Sequence, residues 1–198
     1  MIAITVLAGG WSARRVDLRR LPGTVIAVND SAIHAPCVDL VVSMDRLWAE
    51  NRFAQVSQLG KPLWLRRSTL RNVRWETCAS VTPFECDHTS TTLSDEPGRL
   101  NGTHSGFCAI NLAYQLRPQE IYLVGFDGAL GPRGERHWFP DYPWKGGGGS
   151  KPGKLAEWSL QYATAATQMR AAGIDVFHHS LDPKRDRTRF TPITRIEA

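Results

Sequence analysis

The sequence lacks any long hydrophobic run, and its longest apolar stretches are only as long as a strand. A membrane-spanning helix needs about 20 apolar residues, so we expect no membrane span. The first residues also lack the basic start and small-residue cleavage site of a signal peptide, which favours a cytoplasmic protein. A chain of 198 residues is long enough for one sizeable α/β domain (1–198) and short for two.

Cysteines and several catalytic motifs are also scarce or missing. The four cysteines are scattered without a Cys-x-x-Cys pair, which favours reduced, partly buried thiols over zinc ligands or disulfides. There is no G-x-S-x-G nucleophile elbow, no H-E-x-x-H metal motif and no Walker A loop, so a P-loop kinase is excluded. The Asp-x-Asp pair that many sugar-nucleotide enzymes use to hold a metal is absent too.

Positive charge, by contrast, is abundant. The net charge is +5 and the pI is about 9.3, a balance that suits phosphate-bearing or otherwise anionic partners. The arginines cluster in "ARRVDLRR", "LRRSTLRNVR" and "DPKRDRTR". No zinc finger, basic zipper or aromatic RNA-binding signature accompanies them. Nucleic-acid binding therefore remains an alternative that the sequence does not favour.

Short apolar runs alternate with longer amphipathic ones, which predicts a Rossmann-like open, mainly parallel sheet with helices on both faces. We expect helices over 46–60, 105–116 and 154–173, and loops over 82–101 and 128–153. The second loop is Gly- and Pro-rich and is interpreted as a flexible loop or a lid, with a linker-like "KGGGGSK" at 145–151. The predicted strands are 2–9, 24–29, 38–45, 120–127 and 174–180, with weaker candidates at 61–67 and 75–81.

In sheets of this kind, ligands bind outside the carboxyl ends of the strands. Polar residues and glycines follow several of the predicted strands, and the topology would bring them together although they are far apart in sequence. The predicted crevice is therefore ringed by Gly9, Gly10, Ser12, Asn29, Asp30, Ser43, Asp45 and Asp127.

The segment "LAGGWSARR" has the composition of a strand-to-helix turn that binds phosphate. Glycine lets backbone N–H groups approach a ligand, and Ser12 is predicted to cap the following helix and to donate to a phosphate oxygen. Asp30 lies at the spacing of a ribose-binding acid, but the G-x-G-x-x-G fingerprint is absent, so an NAD enzyme is not favoured.

The segment "NGTHSGFCAINLAY" begins a second predicted helix. Thr103 or Ser105 is predicted to cap it, and Gly106 would let the backbone approach a ligand. The helix leads directly into "EIYLVGFDG", so a hydroxyl and the Asp127 carboxylate would reach the same edge of the sheet.

The loop "GPRGERHWFPDYPWK" gathers aromatic and basic residues, and two interpretations stay open. Its aromatic side chains are either part of the core or part of a lid. In the lid, Tyr142 and the cations would bind a leaving phosphate while His137 moves a proton.

Three stretches together resemble the bacterial lipooligosaccharide sialyltransferases and motility-associated glycosyltransferase-like proteins: 7–30, 101–128 and the closing helix and strand at 154–179. The resemblance implies a metal-independent transferase without a cofactor, whose substrates are a nucleotide-sugar donor and an anionic or glycan acceptor. It assigns the catalytic base to His137 and a phosphate contact to Tyr142. It places Gly10, Ser12, Asn29, Ser105, Gly106, Gly125 and Asp127 on the nucleotide.

The chain departs from that family in two places, and two other functions remain open. Gly9 stands where the sialyltransferases have Asn, and Trp11 replaces Pro. Archaeal pterin diphosphokinases share the architecture, so diphosphate transfer from ATP, with Mg²⁺ held by Asp45 and Asp127, is an alternative. A non-catalytic module that binds nucleic acid or a protein partner is the other.

Overall fold

The computed structural model describes residues 2–72, 78, 80–144, 152–179 and 191–192 of the chain. The strands are β1 (Ala3–Leu7), β2 (Thr24–Val28), β3 (Leu40–Ser43), β4 (Leu63–Arg66), β5 (Val81–Phe84), β6 (Glu120–Val124), β7 (Asp175–His179) and β8 (Thr191–Pro192). The α-helices are α1 (Ser31–His34), α2 (Arg46–Ser57), α3 (Ser105–Gln115) and α4 (Pro152–Ala171), and 3₁₀ helices cover Trp11–Arg15 and Arg67–Asn72.

All eight strands form one parallel sheet in the order β5-β4-β3-β2-β1-β6-β7-β8. The predicted open parallel sheet is therefore confirmed. Within the described residues, none of the helices combines the length and hydrophobicity needed to cross a membrane.

The strands are apolar on both faces because helices cover both sides of the sheet, as buried parallel strands require. On one face α3 and α4 pack on the large cluster that includes Ile4, Val42 and Leu123. On the other face α1 and α2 pack on a second cluster around Val41 and Leu65. Helices on both faces were predicted, and this too is confirmed.

Helix α3 is nearly all buried, and its polar side chains hold the long connection that precedes it. Fully buried Asn111 accepts hydrogen bonds from the Ser94 and Asn101 N–H groups at 2.9 and 2.8 Å and donates to the Ser94 carbonyl at 2.8 Å. Gln115 donates to three carbonyls of the same connection. This helix therefore fixes the chain that runs into the carboxyl edge of the sheet.

Two local predictions are wrong. Strand β5 lies at Val81–Phe84, largely inside the segment predicted to be a loop (82–101). It is an edge strand in which only Phe84 is buried, so it has no long apolar run to indicate it. The spacing of Leu47, Phe53, Val56 and Leu59 predicted the apolar face of α2. The buried residues of that helix are Trp48, Ala49 and Val56, and Leu59 is exposed beyond its end. The linker-like 145–151 and most of the predicted strand at 75–81 lie outside the described residues.

The order of the strands indicates where a ligand crevice should lie. From β1 the chain builds outward through β2 to β5 on one side, and β6 to β8 continue on the other. The order thus reverses between β1 and β6, and the connections leave in opposite directions at their carboxyl ends. Open α/β sheets bind ligands at this switch point.

Candidate functional site

A cavity of about 490 Å³ opens at the carboxyl edge of the sheet, above the ends of β1, β2, β3 and β6. Eight of the predicted site residues line it: Gly10, Asn29, Ser105, Gly106, Gly125, Asp127, His137 and Tyr142. The predicted Asp45 and Gly9 line it as well, whereas Ser12, Asp30 and Ser43 do not.

The floor of the cavity is the contact between the ends of β1 and β6. The N–H of Gly10 donates to the carbonyl of Gly125 at 2.9 Å. A Cβ at Gly10 would lie 2.4 Å from that same carbonyl oxygen, and one at Gly125, whose φ is +74°, would lie 2.6 Å from the Ala8 oxygen. Side chains are excluded from both positions, so this part of the cavity floor is bare backbone.

Asp127 follows β6, and only one of its two carboxylate oxygens has a hydrogen-bond donor among the described residues. Its Oδ2 accepts a hydrogen bond from the Ser12 N–H at 2.9 Å, which holds the turn after β1. Its Oδ1 is buried and has no donor among the described residues. Burial raises the pKa of this carboxyl above its ordinary value, although Ser12, His178 and His179 oppose the shift.

The hydroxyls of Ser12 and Ser43 form hydrogen bonds within the protein and do not line the cavity. The Ser12 hydroxyl is fully buried and donates to the His179 carbonyl at 3.4 Å. It caps no helix, since the 3₁₀ helix starts at Trp11 with Gly10 in the cap position. The Ser43 hydroxyl, also fully buried, accepts from the Asp45 N–H at 3.1 Å. In these positions neither hydroxyl lines the cavity.

Asp30 belongs to a buried ion pair. Its side chain is 1% exposed, and it accepts from Trp48 Nε1 at 2.8 Å. Arg52 donates to both of its oxygens, with Nη2 at 2.9 Å from Oδ2 and Nε at 3.1 Å from Oδ1. The Arg52 guanidinium also lies over the Trp144 ring at 5.1 Å. These contacts connect α1, α2 and the loop before α4.

Asn29, the last residue before α1, adopts a left-handed conformation with φ of 51°. Asparagine tolerates this conformation better than most residues do. Its side chain contacts the Tyr142 hydroxyl, and its Oδ1 is buried without a donor among the described residues. Asn29 and Asp127 both line the cavity, and each carries a buried oxygen without a donor among the described residues.

His137 lies against Gly9, on the loop of residues 128–144. Nδ1 of its ring faces the Gly9 backbone, and the ring stacks on Phe139 at 4.9 Å. Trp138 fixes the same loop, because its N–H donates to the Gly9 carbonyl at 3.0 Å and its Nε1 to the Ala8 carbonyl at 3.1 Å. Nε2 of His137 is buried without a partner among the described residues. Burial lowers the pKa of His137, so the ring is neutral at pH 7.

Tyr142 lies beside this histidine, with ring centroids 5.3 Å apart. Two donor groups, the Asn29 side-chain amide and the Asp30 backbone N–H, face its hydroxyl. Burial outweighs these contacts and raises the pKa of the phenol, which stays protonated at neutral pH. Since both contacts come from donors, the proton of the hydroxyl is free to be donated.

The start of α3 forms a third wall, and its predicted capping is wrong. The cap position is His104, without a side-chain cap bond. The Ser105 hydroxyl accepts from the Met44 N–H at 3.0 Å, and Thr103 donates to Gln161 on α4 at 2.8 Å. Both hydroxyls therefore tie α3 to its neighbours. Gly106 lines the cavity next to the His104 ring, which a Cβ there would approach to 3.0 Å.

Sequence analysis missed an aromatic wall between α3 and α4. The His104 ring lies 4.2 Å from the Trp158 ring, and its Nε2 is 3.2 Å from the Tyr162 hydroxyl. Burial lowers the pKa of His104 to about 3, so the ring is neutral at pH 7. Trp158 and Tyr162 are four residues apart on one helix, and that spacing would have indicated a shared face.

Three arginines line the cavity; Arg46 and Arg66 were missed as site residues, whereas Arg136 is one of the loop cations predicted to bind phosphate. Arg66 ends β4, and its Nε is buried without a hydrogen-bond partner among the described residues. Arg46 starts α2 and pairs with Glu50, while Arg136 is exposed on the loop. A basic residue directly after a strand was the available signal for Arg66. Within the described ranges no three His, Cys, Asp or Glu side chains converge as metal ligands would.

Comparison with known proteins gives one structural relationship. No family model matches the chain, and no curated protein matches its sequence. A solved structure of the sialyltransferase CstII from Campylobacter jejuni, in complex with the substrate analogue CMP-3FNeuAc, is similar over 98% of this chain and 86% of that one. The TM-score is 0.57 and the sequence identity 13%. The two proteins therefore share a fold, at an identity too low to establish a common function.

Proposed function

We propose that the protein is a glycosyltransferase-like enzyme that binds a nucleotide sugar at the β1–β6 switch point and transfers the sugar to an acceptor hydroxyl. The observation that carries the proposal is the pair of unpaired acceptors on Asn29 and Asp127, at two strand ends around one cavity. The fold shared with a sialyltransferase that was solved with a CMP-sugar analogue supports it.

The chemistry of the two acceptors favours a ligand that carries hydroxyl or amino groups. A buried acceptor left without a donor costs about 1–3 kcal/mol, which a ligand donor would recover. Phosphate offers no donors, whereas ribose, a sugar or a cytosine amino group does. Both oxygens are covered in the free protein, so a small side-chain rotation accompanies binding. The neutral wall of His104 and Trp158 then provides an aromatic surface for a base.

His137 is the proposed general base. Nδ1 of its ring faces the Gly9 backbone, and in the proposed tautomer Nδ1 carries the proton toward that backbone and Nε2 is the acceptor. When the acceptor hydroxyl forms its bond to the anomeric carbon, Nε2 takes the hydroxyl proton. The bond between the anomeric carbon and the phosphate oxygen breaks in the same step. A base in this role contributes about 10²–10⁴-fold to turnover.

Tyr142 and the arginines are proposed to stabilise the leaving nucleotide. The phenol proton is free to be donated to the departing phosphate oxygen, and Arg66 and Arg136 supply positive charge at the cavity. Hydrogen bonds to an ionised phosphate are about twice as strong as neutral ones. In this proposal, the proton acceptor His137 and the hydrogen-bond donor to the phosphate, Tyr142, are neighbouring rings of one loop.

Thermal-shift measurements with CMP, UDP, GDP and ATP, each with and without Mg²⁺, test the binding step. At 100 times its dissociation constant, a ligand stabilises the folded state by about 2.7 kcal/mol. We expect one nucleotide to stabilise the protein without Mg²⁺, and Asp127→Ala to abolish that effect while the variant stays folded. Stabilisation by ATP only when Mg²⁺ is present would contradict the proposal and favour phosphoryl transfer.

Turnover tests the role of His137. With the matching nucleotide sugar, His137→Gln should lower kcat by about 10²–10⁴-fold and leave nucleotide binding intact. His88→Gln is the matched control, because His88 is an exposed loop histidine outside the cavity, and it should leave kcat unchanged. Equal kcat values for the two variants would remove His137 from the mechanism.

A further inference from the structure

Two cysteines from different elements meet beside the start of α3. Cys86 follows β5, and Cys108 lies in the first turn of α3. Their sulfur atoms are 3.9 Å apart although the residues are 22 positions apart in sequence. Neither Cys37, which is exposed, nor Cys78 has another cysteine among its hydrogen-bond partners in the described part of the chain.

The two thiols have unequal surroundings. Cys108 is fully buried, and its sulfur lies 3.7 Å from Met44 Sδ and 3.8 Å from the Leu100 carbonyl oxygen. Cys86 is half-buried and therefore the more accessible of the two. The Cys108 thiol as hydrogen-bond donor is the main cause that lowers the pKa of Cys86; burial opposes the shift, and the positive charge of Arg66 adds to it. The same pairing and burial raise the pKa of Cys108. A more accessible thiol of lowered pKa 3.9 Å from a buried thiol is the arrangement of an attacking and a resolving cysteine.

We propose that Cys86 and Cys108 are a redox-active dithiol, which a small-molecule disulfide oxidises reversibly to an intrachain disulfide. The Cys86 thiolate attacks one sulfur of the small disulfide and expels a thiolate, which leaves a mixed disulfide on Cys86. Cys108 then loses its proton and attacks Cys86 Sγ, expelling the second thiolate. One small disulfide is reduced to two thiols as the protein loses two thiol protons and two electrons.

The dithiol is connected to the cavity through Met44. A disulfide requires the sulfurs to approach from 3.9 Å to about 2.05 Å, which draws Cys108 away from Met44 and Leu100. Met44 lines the cavity, and its N–H donates to Ser105, three residues before Cys108. Oxidation should therefore disturb the anchor of α3 at the cavity. This inference does not rest on the proposed function.

Equilibration of the full chain with glutathione disulfide, followed by acid quenching and peptide mapping without reduction, tests the proposal. We expect a Cys86–Cys108 cross-link and a loss of two of the four thiols, both reversed by excess glutathione. Cys108→Ala should instead retain a glutathione mixed disulfide on Cys86. Cys78→Ser and Cys37→Ser are the matched controls and should leave the cross-link unchanged.

Hydrogen exchange gives an independent measurement of the connection to the cavity. The Met44 amide should exchange faster in the oxidised protein than in the reduced one. The proposal is overturned if the wild-type chain, which needs no variant to fold, shows no Cys86–Cys108 peptide at any ratio of glutathione disulfide to glutathione. A cross-link with unchanged exchange at Met44 would overturn the connection to the cavity.

Discussion

The ends of β2 and β6 are alike in sequence and different in use. Each strand leaves the sheet through a residue of positive φ, Asn29 or Gly125, and each is followed within two residues by an aspartate. Asp30 has hydrogen bonds from Trp48 and Arg52 to its oxygens. Asp127 has one bond, from the Ser12 N–H, and one buried oxygen without a donor among the described residues.

The difference shows that partners, rather than position on the sheet, decide whether a strand-end carboxylate is available. Asp30 is neutralised by α2, so it stabilises the fold and is closed to a ligand. Asp127 receives one backbone N–H, from Ser12, and its second oxygen has no donor among the described residues. The predictions below compare these two strand ends, from the largest expected effect to the smallest.

Asp30→Ala should be the most destabilising of these changes. It removes one member of a buried ion pair and leaves Trp48 Nε1 without its acceptor. Such a loss typically costs about 3–5 kcal/mol, and because Arg52 is partly exposed we expect about 3 kcal/mol in urea unfolding. Glu157→Ala, which breaks the exposed pair with Lys154, is the control and should cost less than about 1 kcal/mol. Equal costs would mean that Asp30 is not structural.

Gly10→Ala should disturb the β6 end without touching the β2 end. The new Cβ would lie 2.4 Å from the Gly125 oxygen, which accepts from the Gly10 N–H, and 2.7 Å from Asp127 Oδ2, which the Ser12 N–H holds. Overpacking of this kind costs about 1–3 kcal/mol. Gly153→Ala is the matched control, because a Cβ there meets no atom within 4 Å in the described structure. A Gly10→Ala protein as stable as the control would show that β1 and β6 are not in close contact.

The fold could be predicted from the sequence, whereas the different roles of Asp30 and Asp127 could not. The apolar runs that became β1, β2, β3 and β6 are local signals, and parallel order follows from their alternation with helices. Arg52 lies 22 positions from Asp30, and nothing local connects them. The same holds for the Ser105 hydroxyl, which looks like a helix cap in sequence but is bound by Met44. The sequence therefore predicted which residues gather at the site. Their individual roles depend on contacts between residues far apart in sequence, which only the folded structure shows.

Asp127→Asn should change how stability depends on pH. Burial raises the pKa of Asp127 in the folded state, so the folded protein binds this proton more tightly than the unfolded chain does. The resulting stabilisation is complete below the unfolded pKa and is lost as the pH rises through the folded one. Asparagine can still accept from the Ser12 N–H but carries no charge. Relative to wild type, the variant should therefore gain stability as the pH rises above 4, measured from urea midpoints. A difference that is constant with pH would contradict this assignment.

Tyr142→Phe should have the smallest effect and would show how the loop serves the β2 end. The Asn29 side-chain amide and the Asp30 N–H face the hydroxyl, so its removal takes an acceptor away from two donor groups. A hydrogen bond of this kind contributes about 1 kcal/mol, and we expect a loss of that order in urea unfolding. Tyr122→Phe is the control, because its hydroxyl donates to the Glu120 carboxylate on the same strand at 3.1 Å, and it should change stability by less than about 0.5 kcal/mol. If Tyr142→Phe is as neutral as the control, the loop contributes nothing to the β2 end. The Tyr142 hydroxyl would then be retained for a ligand alone.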